Sequence, residues 1–274
     1  MELTIASALL MALAGILVGI LSAMFGIGGG IVMVPLLHIG FGLPAAASSG
    51  TSLFAILPTS ISGMVARLHD GTIRFKVGIV VGIAGACMSP VGAWVSDVVP
   101  GVYAMVLTAV FIIFTAYKMF KRVYDSRPVA TPAAQAQAPE RRAPLAYGVT
   151  PAPRLYAGCV GLGMVVGFLS GYLGLGGGFL IVPILQWAFG FSMKQATGTS
   201  LVSVAILAIP AFVMHALLGH VHWVFGIIMI LGALVGTRLG AAILRKVNDR
   251  LLTGLFGVVL VLSGIVMIVR ELVG

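Results

Sequence analysis

Charged side chains are scarce throughout this sequence. Only 8% of the 274 residues are Asp, Glu, Lys or Arg, whereas soluble domains average about 25%. Hydrophobic residues make up 60% of the chain, and the mean hydropathy is +1.15. So few charges cannot cover the surface of a water-soluble globule, which excludes that class of protein.

Acidic residues are the rarest of the charged types, and none falls inside an apolar run. Cation transporters and carboxylate proton relays normally place Asp or Glu inside the membrane. Their absence there argues against a metal or sodium site and favours an anion as ligand. The seven are Glu2, Asp70, Asp97, Asp125, Glu140, Asp249 and Glu271.

Reactive motifs are also missing. The two cysteines, Cys87 and Cys159, stand alone in apolar segments without CxxC spacing, which is typical of buried small hydrophobic residues. There is no HExxH, no Ser/Lys or Ser/His pair and no intramembrane Asp pair. We therefore expect no enzyme, no catalytic residue, no metal and no cofactor.

Long apolar runs dominate what is present. A helix needs roughly 20 apolar residues to cross about 30 Å of hydrocarbon, and eight runs approach that length. The first run lacks the basic start of a signal peptide, so we expect it to remain in the protein. The runs are Leu3–Phe25, Ala45–Ala66, Val77–Val95, Val102–Phe120, Leu155–Leu173, Ala196–Leu217, Val224–Leu244 and Leu251–Val269, with shorter ones at Ile31–Phe41 and Phe179–Phe189.

The two halves of the chain are related. An offset of 148 residues aligns Gly15–Leu53 with Gly163–Leu201 without a gap, with 18 identities in 39 positions. Such a match indicates an internal duplication. We predict an N-terminal membrane repeat over residues 1–124, a flexible linker rich in Pro, Ala and Gln over 125–153, and a second repeat over 154–274.

Basic residues are confined to a few short loops, which argues against nucleic-acid binding and instead predicts orientation. Arg67, Arg74 and Lys76 share one loop, the linker is basic, and Arg245 to Arg250 carry further positive charge. By the positive-inside rule these segments are cytoplasmic and both termini are periplasmic. The Arg67–Lys76 loop aligns with the uncharged His215–Val224 loop, so the repeats should be inverted, as in many secondary transporters.

The predicted fold is therefore an all-α polytopic membrane protein with two inverted repeats, about eight long helices and two short glycine-initiated helices. Inversion requires an odd number of crossings per half. The short segments 31–41 and 179–189 must then cross as thin segments or form re-entrant hairpins, and the sequence leaves both alternatives open.

Each half contains a glycine run followed by a short apolar stretch and then a Gly-Thr-Ser-Leu. Glycine-rich backbone is tolerated in a membrane only where it is packed in protein or lines a cavity. If each run opens a short helix, its free N–H groups favour an anion. The predicted substrate-binding residues are Gly28, Gly29, Gly30, Thr51, Ser52, Gly176, Gly177, Gly178, Thr199 and Ser200, with the hydroxyls placed at the start of the next helix. The alternative is that these residues serve only close helix packing.

Three cationic or titratable positions could act as gates or respond to protons. Arg67 aligns with His215, so each half carries such a side chain at the end of the same helix. Arg238 lies near the basic end of its helix, where a side chain often extends to the interface instead. His215, His220 and His222 lack an acid or thiol partner in sequence, which favours an interfacial cluster over a metal site.

The doubled pattern resembles the TauE/SafE family of sulfite and organosulfonate exporters, over nearly the whole chain outside the linker. It is carried by FGIGGGIVMVPLL at Phe25–Leu37, LGLGGGFLIVPIL at Leu173–Leu185, SSGTSL at Ser48–Leu53 and ATGTSL at Ala196–Leu201. The resemblance implies a permease of the bacterial inner membrane for anions such as sulfite, sulfoacetate or another sulfonate. It leaves proton coupling and a homodimer open.

The function predicted is export of a small sulfur-containing anion by alternating access. A passive anion channel and an uptake permease for a related anion such as thiosulfate are the alternatives. The partners expected are the substrate anion and the lipid bilayer.

Overall fold

The described part of the chain is built from helices and contains no strand. A computed structural model describes residues 5–99 and 152–273, together with residues 113, 115–117 and 119. The predicted run Val102–Phe120, except for those five positions, and nearly all of the predicted linker 125–153 lie outside the described residues. In chain order, the described helices are α1 Ile5–Phe25, α2 Gly30–Pro35, α3 Ala45–Ala66, α4 Phe75–Val98, α5 Ala152–Leu173, α6 Gly178–Phe189, α7 Met193–Leu217, α8 Trp223–Lys246 and α9 Asp249–Val273.

Six of these helices, α1, α3, α4, α5, α7 and α8, are long and apolar enough to cross a membrane. The prediction of an all-α polytopic membrane protein is confirmed. Several helix ends extend a few residues beyond the apolar runs. At the start of α7, Ser192 and Gln195 form a reciprocal capping box, and the helix begins at Met193, three residues before the apolar run.

The two short helices follow one plan with a local difference. Each begins after a glycine in the left-handed conformation, Gly29 or Gly177, and contains one proline. α6 continues for 12 residues, whereas α2 gives way after Pro35 to a π-helical turn, Leu36–Gly40. Twelve residues extend only about 18 Å, so α6 alone is too short to span the hydrocarbon core.

The short helix α2 folds back along α1. A Cβ atom on Gly29 would lie 2.5 Å from the side chain of Val18, and Met11, Val18, Met33 and Leu37 belong to one buried cluster. The helices α1 and α2 thus form a helical hairpin.

Helices of one half pack mainly on helices of the other. α1 packs on α8 and α4 packs on α5, while α3 and α7 lie together and contact α8 and α4 respectively. These contacts occur in matched pairs. A Cβ on Gly15 would meet the Met229 carbonyl oxygen at 2.4 Å, and one on Gly163, its counterpart 148 residues later, would meet the Val81 oxygen at 2.4 Å. Small residues thus let each pair of backbones approach closely.

Candidate functional site

Two glycine loops, Gly26–Gly30 and Gly174–Gly178, cross in direct contact. A Cβ on Gly30 would lie 2.5 Å from the Leu175 carbonyl oxygen, and one on Gly178 would lie 2.4 Å from the Gly26 oxygen. Real Cβ atoms do not approach oxygens so closely, so both positions need glycine. The crossing therefore gives these glycines a packing role, in agreement with the packing alternative.

Side chains from the middle of α3 and α7 pack against this crossing. Ile56 lies near the middle of α3 and Val204 near the middle of α7. A Cβ on Gly28 would meet both side chains, at 2.9 and 2.8 Å. Apolar side chains thus fill the space beside the loops. A separate crevice of about 360 Å³ is lined only by apolar residues of α4 and α5: Met88, Met164, Val165, Phe168 and Leu169.

The glycine loops nevertheless present backbone amides. Gly28 and Gly176 have φ of +75° and +74°, and the N-cap residues Gly29 and Gly177 have φ of +89° and +71°. These left-handed conformations are accessible to glycine at little cost. The first N–H groups of a helix have no acceptor within that helix. The prediction that each glycine run opens a short helix is confirmed.

Two buried serine hydroxyls adjoin these helix starts. Ser22 of α1 and Ser170 of α5 are fully buried, and neither hydroxyl has a hydrogen-bond partner. A Cβ on Gly29 would be 3.7 Å from the Ser22 Cβ, and one on Gly177 would be 3.4 Å from the Ser170 Cβ. Burying an unpaired hydroxyl costs about 1–3 kcal/mol. The presence of an unpaired buried hydroxyl at both matched positions is the strongest local indication of a ligand.

Ser22 and Ser170 are not among the site residues that the sequence predicts. The available signal was their identity at the 148-residue offset, in apolar helices where a hydroxyl needs a partner. Their proximity to Gly29 and Gly177 depends on how each hairpin folds back, which no local pattern specifies.

The two threonines lie deeper in their helices than predicted. Thr51 and Thr199 are the seventh residues of α3 and α7, so the expectation that they begin these helices is wrong. The helices start earlier, after Pro44 and at the Ser192 cap. Each Thr hydroxyl accepts a hydrogen bond from the opposite half: Thr51 Oγ1 from the His222 N–H at 3.0 Å, and Thr199 Oγ1 from the Arg74 N–H at 3.1 Å.

The neighbouring serines differ from each other. Ser200 Oγ donates to the Gly26 carbonyl oxygen at 2.7 Å, which ties α7 to the first glycine loop. Its counterpart Ser52 is fully buried, and its hydroxyl has no partner. Ser52 therefore joins Ser22 and Ser170 as a buried donor still available to a ligand.

Arg67 is a fully buried cation at the end of α3. Its guanidinium donates to the Thr197 hydroxyl at 2.9 Å and to the carbonyl oxygens of Lys194 and Ala23 at 2.6 and 3.4 Å, while Nε has no partner. Burial lowers the pKa of Arg67 to about 10, although nearby Asp70 and Asp249 act to raise it. Arg67 thus remains positively charged at neutral pH and joins the two halves.

The other two predicted gate residues separate in the structure. His215 is fully buried at the end of α7, and its Nε2 lies 3.1 Å from the Gly171 carbonyl oxygen. This contact is the counterpart of the one between Arg67 and Ala23, because His215 lies 148 residues after Arg67 and Gly171 lies 148 residues after Ala23. Arg238 is exposed on α8 and does not share the buried surroundings of Arg67 and His215.

Comparison with known proteins places this architecture in a family. The sequence profile described as "Sulfite exporter TauE/SafE" matches residues 11–267. The chain belongs to the TauE/SafE family. Both glycine loops and both Gly-Thr-Ser-Leu segments lie within the matched region, and the family resemblance drawn from them is confirmed.

Relatives of this TauE/SafE chain are named as transporters. The "Probable membrane transporter protein YunE" of Bacillus subtilis is 30% identical, over 91% of this chain and 93% of the relative. The "Probable membrane transporter protein MJ0441" of Methanocaldococcus jannaschii is 26% identical, with 94% of each chain covered. No solved structure matches the chain significantly. The protein is thus a multi-pass membrane protein of a transporter family.

Proposed function

We propose that this protein is a secondary transporter that exports a small sulfur-containing anion, such as sulfite, sulfoacetate or another sulfonate, across the bacterial inner membrane. The family description supports the substrate class and the direction. The acidic residues of the described chain, Asp70, Asp97, Asp249 and Glu271, lie in loops or in the first or last turn of a helix. An anion would therefore meet no carboxylate in the middle of the bundle.

The substrate site we propose lies at the glycine crossing. Its donors are the backbone amides of Gly28–Gly30 and Gly176–Gly178, with the hydroxyls of Ser22, Ser52 and Ser170. A sulfonate has three oxygens that such donors can bind without a buried counter-charge, assisted by the positive ends of α2 and α6. The observation that carries this proposal is the matched pair of buried, unpartnered hydroxyls, Ser22 and Ser170. Thr51, Thr199 and Ser200 support the site by joining the two halves and the first loop.

Transport would proceed by alternating access between inverted halves. The matched contacts across the 148-residue offset support this arrangement, and the positive-inside rule places Arg67 and the linker at the cytoplasmic side and both termini in the periplasm. Arg67 and His215 would then close opposite ends of the bundle. Ile56 and Val204 close the glycine crossing in this state, which favours alternating access over a continuously open channel.

The experiment that tests the site compares two serine variants of the purified protein. Ser170→Ala removes a hydroxyl that bonds nothing, so thermal stability without ligand should be unchanged or slightly higher. Binding of an anion should weaken about ten- to a hundredfold, because a hydrogen bond to a charged group contributes roughly 1.5–3 kcal/mol. The readout is the shift of the unfolding temperature with sulfite, sulfoacetate, taurine, thiosulfate, sulfate and acetate.

Ser89→Ala is the matched control. The Ser89 hydroxyl is equally buried but donates to the Leu207 carbonyl oxygen at 2.9 Å, so its loss should lower stability by about 1 kcal/mol and preserve the anion-induced shift. An unaltered shift in Ser170→Ala would remove this serine from the site. Flux through liposomes that saturates with anion concentration would support a transporter, whereas single-channel currents would require the channel alternative.

A further inference from the structure

Three titratable side chains from separate elements form a row of polar contacts that leads into the protein. Buried His215 lies in the last turn of α7, His220 lies in the turn that follows, and Asp97 lies in the last turn of α4. His215 Nδ1 is 3.3 Å from His220 Nδ1, and His220 Nε2 is 3.4 Å from Asp97 Oδ1. The side chains of His220 and Asp97 are 18% and 48% exposed. The row of contacts therefore begins at the exposed Asp97 and ends at the buried His215.

The contact of His215 with Gly171 determines which ring nitrogens of the two histidines carry a hydrogen. His215 Nε2 faces the Gly171 carbonyl oxygen at 3.1 Å, and a carbonyl only accepts, so Nε2 carries a hydrogen. A neutral imidazole has one N–H, so His215 Nδ1 is then an acceptor. His220 Nδ1 must therefore donate to it.

This assignment leaves one contact incomplete unless a proton is added. If His220 is neutral and donates through Nδ1, its Nε2 is a bare acceptor opposite the Asp97 carboxylate, which also only accepts. A single extra proton, held between His220 and Asp97, satisfies all three contacts at once. The arrangement is complete only when it has bound one proton.

We propose that Asp97, His220 and His215 form a proton-binding site, and that this proton is the coupling ion of transport; the second part rests on the proposed function. The inner end at Gly171 directly follows Ser170 in α5. The outer turn also contacts the other half, since a Cβ on Gly50 would be 2.5 Å from the His220 carbonyl oxygen. Proton binding can thereby affect both Ser170 and the start of the Gly50–Leu53 segment.

The opposite end of the bundle differs in one respect. Arg67 takes the place of His215 there and is a permanent cation that contacts the matching carbonyl oxygen of Ala23. Without the extra proton, Asp97, His220 and His215 together carry one negative charge, and with it they are neutral, whereas the charge of Arg67 does not change. Proton binding therefore alters the charge at only one end of the bundle. An anion near the His215 end would thus meet a different charge before and after proton binding, whereas an anion near the Arg67 end would not.

Few other charged groups face the pair within the described residues. His222 follows in the same turn, α3 and α6 carry no charged residue, and Arg154 of α5 lies at the far end of its helix. Lys194 lies at the far end of α7, and Arg238, Arg245 and Lys246 lie in the C-terminal half of α8, remote from His220. In the described part of the chain, no group of three metal-ligating side chains is arranged to hold a metal ion, so a proton is the ligand that this site suits.

The test has one arm that does not depend on transport. In full-length protein labelled with ¹⁵N-histidine, the ring-nitrogen signals of His215 and His220 should change together as pH is varied, as expected of a coupled pair. Asp97→Asn should move that shared titration to lower pH, because a nearby opposite charge favours the protonated form. Independent titration of the two rings, or an unchanged midpoint in Asp97→Asn, would overturn the proton site.

The second arm measures anion flux in liposomes. An imposed pH gradient should drive anion movement in the native protein and in His69→Gln, an exposed control at the other end, but not in His220→Gln, which should still carry anion down its own gradient. Persistent proton-driven flux in His220→Gln would overturn the coupling role. Absence of flux in the native protein with every anion would reject the proposed function, while the NMR titration would still decide proton binding.

Discussion

At the scale of single residues, Arg67 is the most unusual side chain in the described part of the protein. It is a fully buried cation whose acceptors are one hydroxyl and two carbonyl oxygens. The guanidinium also packs on the backbone of Gly198, where a Cβ would be 3.3 Å from Nη2. A planar group with several donors is needed to reach acceptors in α1 and α7 together.

Replacing Arg67 with lysine should separate geometry from charge. The lysine side chain would keep the charge, but a single ammonium cannot reach all three acceptors in the same directions. We expect Arg67→Lys to lower stability by about 1–3 kcal/mol because buried acceptors lose their partner. Thermal unfolding in detergent measures this.

Arg245→Lys is the control for Arg67→Lys. Arg245 also bonds a carboxylate and a carbonyl, Asp70 and Ala66, but its side chain is 55% exposed. Its replacement should change stability by less than about 1 kcal/mol. Equal losses of stability in the two variants would show that the buried hydrogen bonds of Arg67 add no more to stability than the exposed ones of Arg245.

At the scale of elements, glycines set the distance between helices of opposite halves. A Cβ on Gly167 of α5 would be 2.1 Å from the Gly85 carbonyl oxygen of α4, and one on Gly19 of α1 would be 2.2 Å from the Ala233 oxygen of α8. Lipid supplies little hydrophobic drive for helix association, so such close packing is a main source of stability in the membrane.

Gly167→Ala should therefore force α4 and α5 apart and cost about 1–3 kcal/mol, as overpacking typically does. Gly161 lies in the same helix, but a Cβ there has nothing within 4 Å. Gly161→Ala should be neutral or stabilise the helix by up to about 1 kcal/mol. Unfolding temperatures of the two variants provide the comparison, and a Gly167→Ala protein as stable as Gly161→Ala would contradict the packing argument.

At the scale of the whole molecule, inversion of the two halves is the central prediction that still needs a test. His69 and Leu217 are 148 residues apart and both exposed, so they are matched probes. In intact cells of a variant with Cys87 and Cys159 replaced by alanine, an impermeant maleimide should label Leu217→Cys and not His69→Cys. Both should react after the membrane is permeabilised.

Labelling of both positions from the same side would mean that the halves are parallel and would remove the basis for alternating access between inverted repeats. The alanine background removes both native thiols, of which Cys87 is exposed on the surface of α4, so the expectation that both cysteines are buried is wrong for Cys87. Cys159 is buried, so its replacement is a precaution against reaction in partly unfolded protein.

Much of the element pattern could be predicted because membrane helices follow from hydropathy alone. Long apolar runs predicted the six membrane-length helices now described, and the glycine runs marked the starts of α2 and α6. The predicted position of Thr51 and Thr199 at the start of their helices is wrong, because α3 begins after Pro44 and α7 begins at the Ser192 capping box, before the Gly-Thr-Ser-Leu motif.

The sequence by itself determined that this protein spans a membrane, that its halves are duplicated and that it belongs to a transporter family, because hydropathy, repetition and motif spacing are linear properties. Only the tertiary structure decided that Ser22 and Ser170 adjoin the glycine caps, that Thr51 and Thr199 join opposite halves, and that Asp97 meets His220. The physical reason is that these contacts link residues far apart in the chain, and helix packing and hairpin direction alone bring them together.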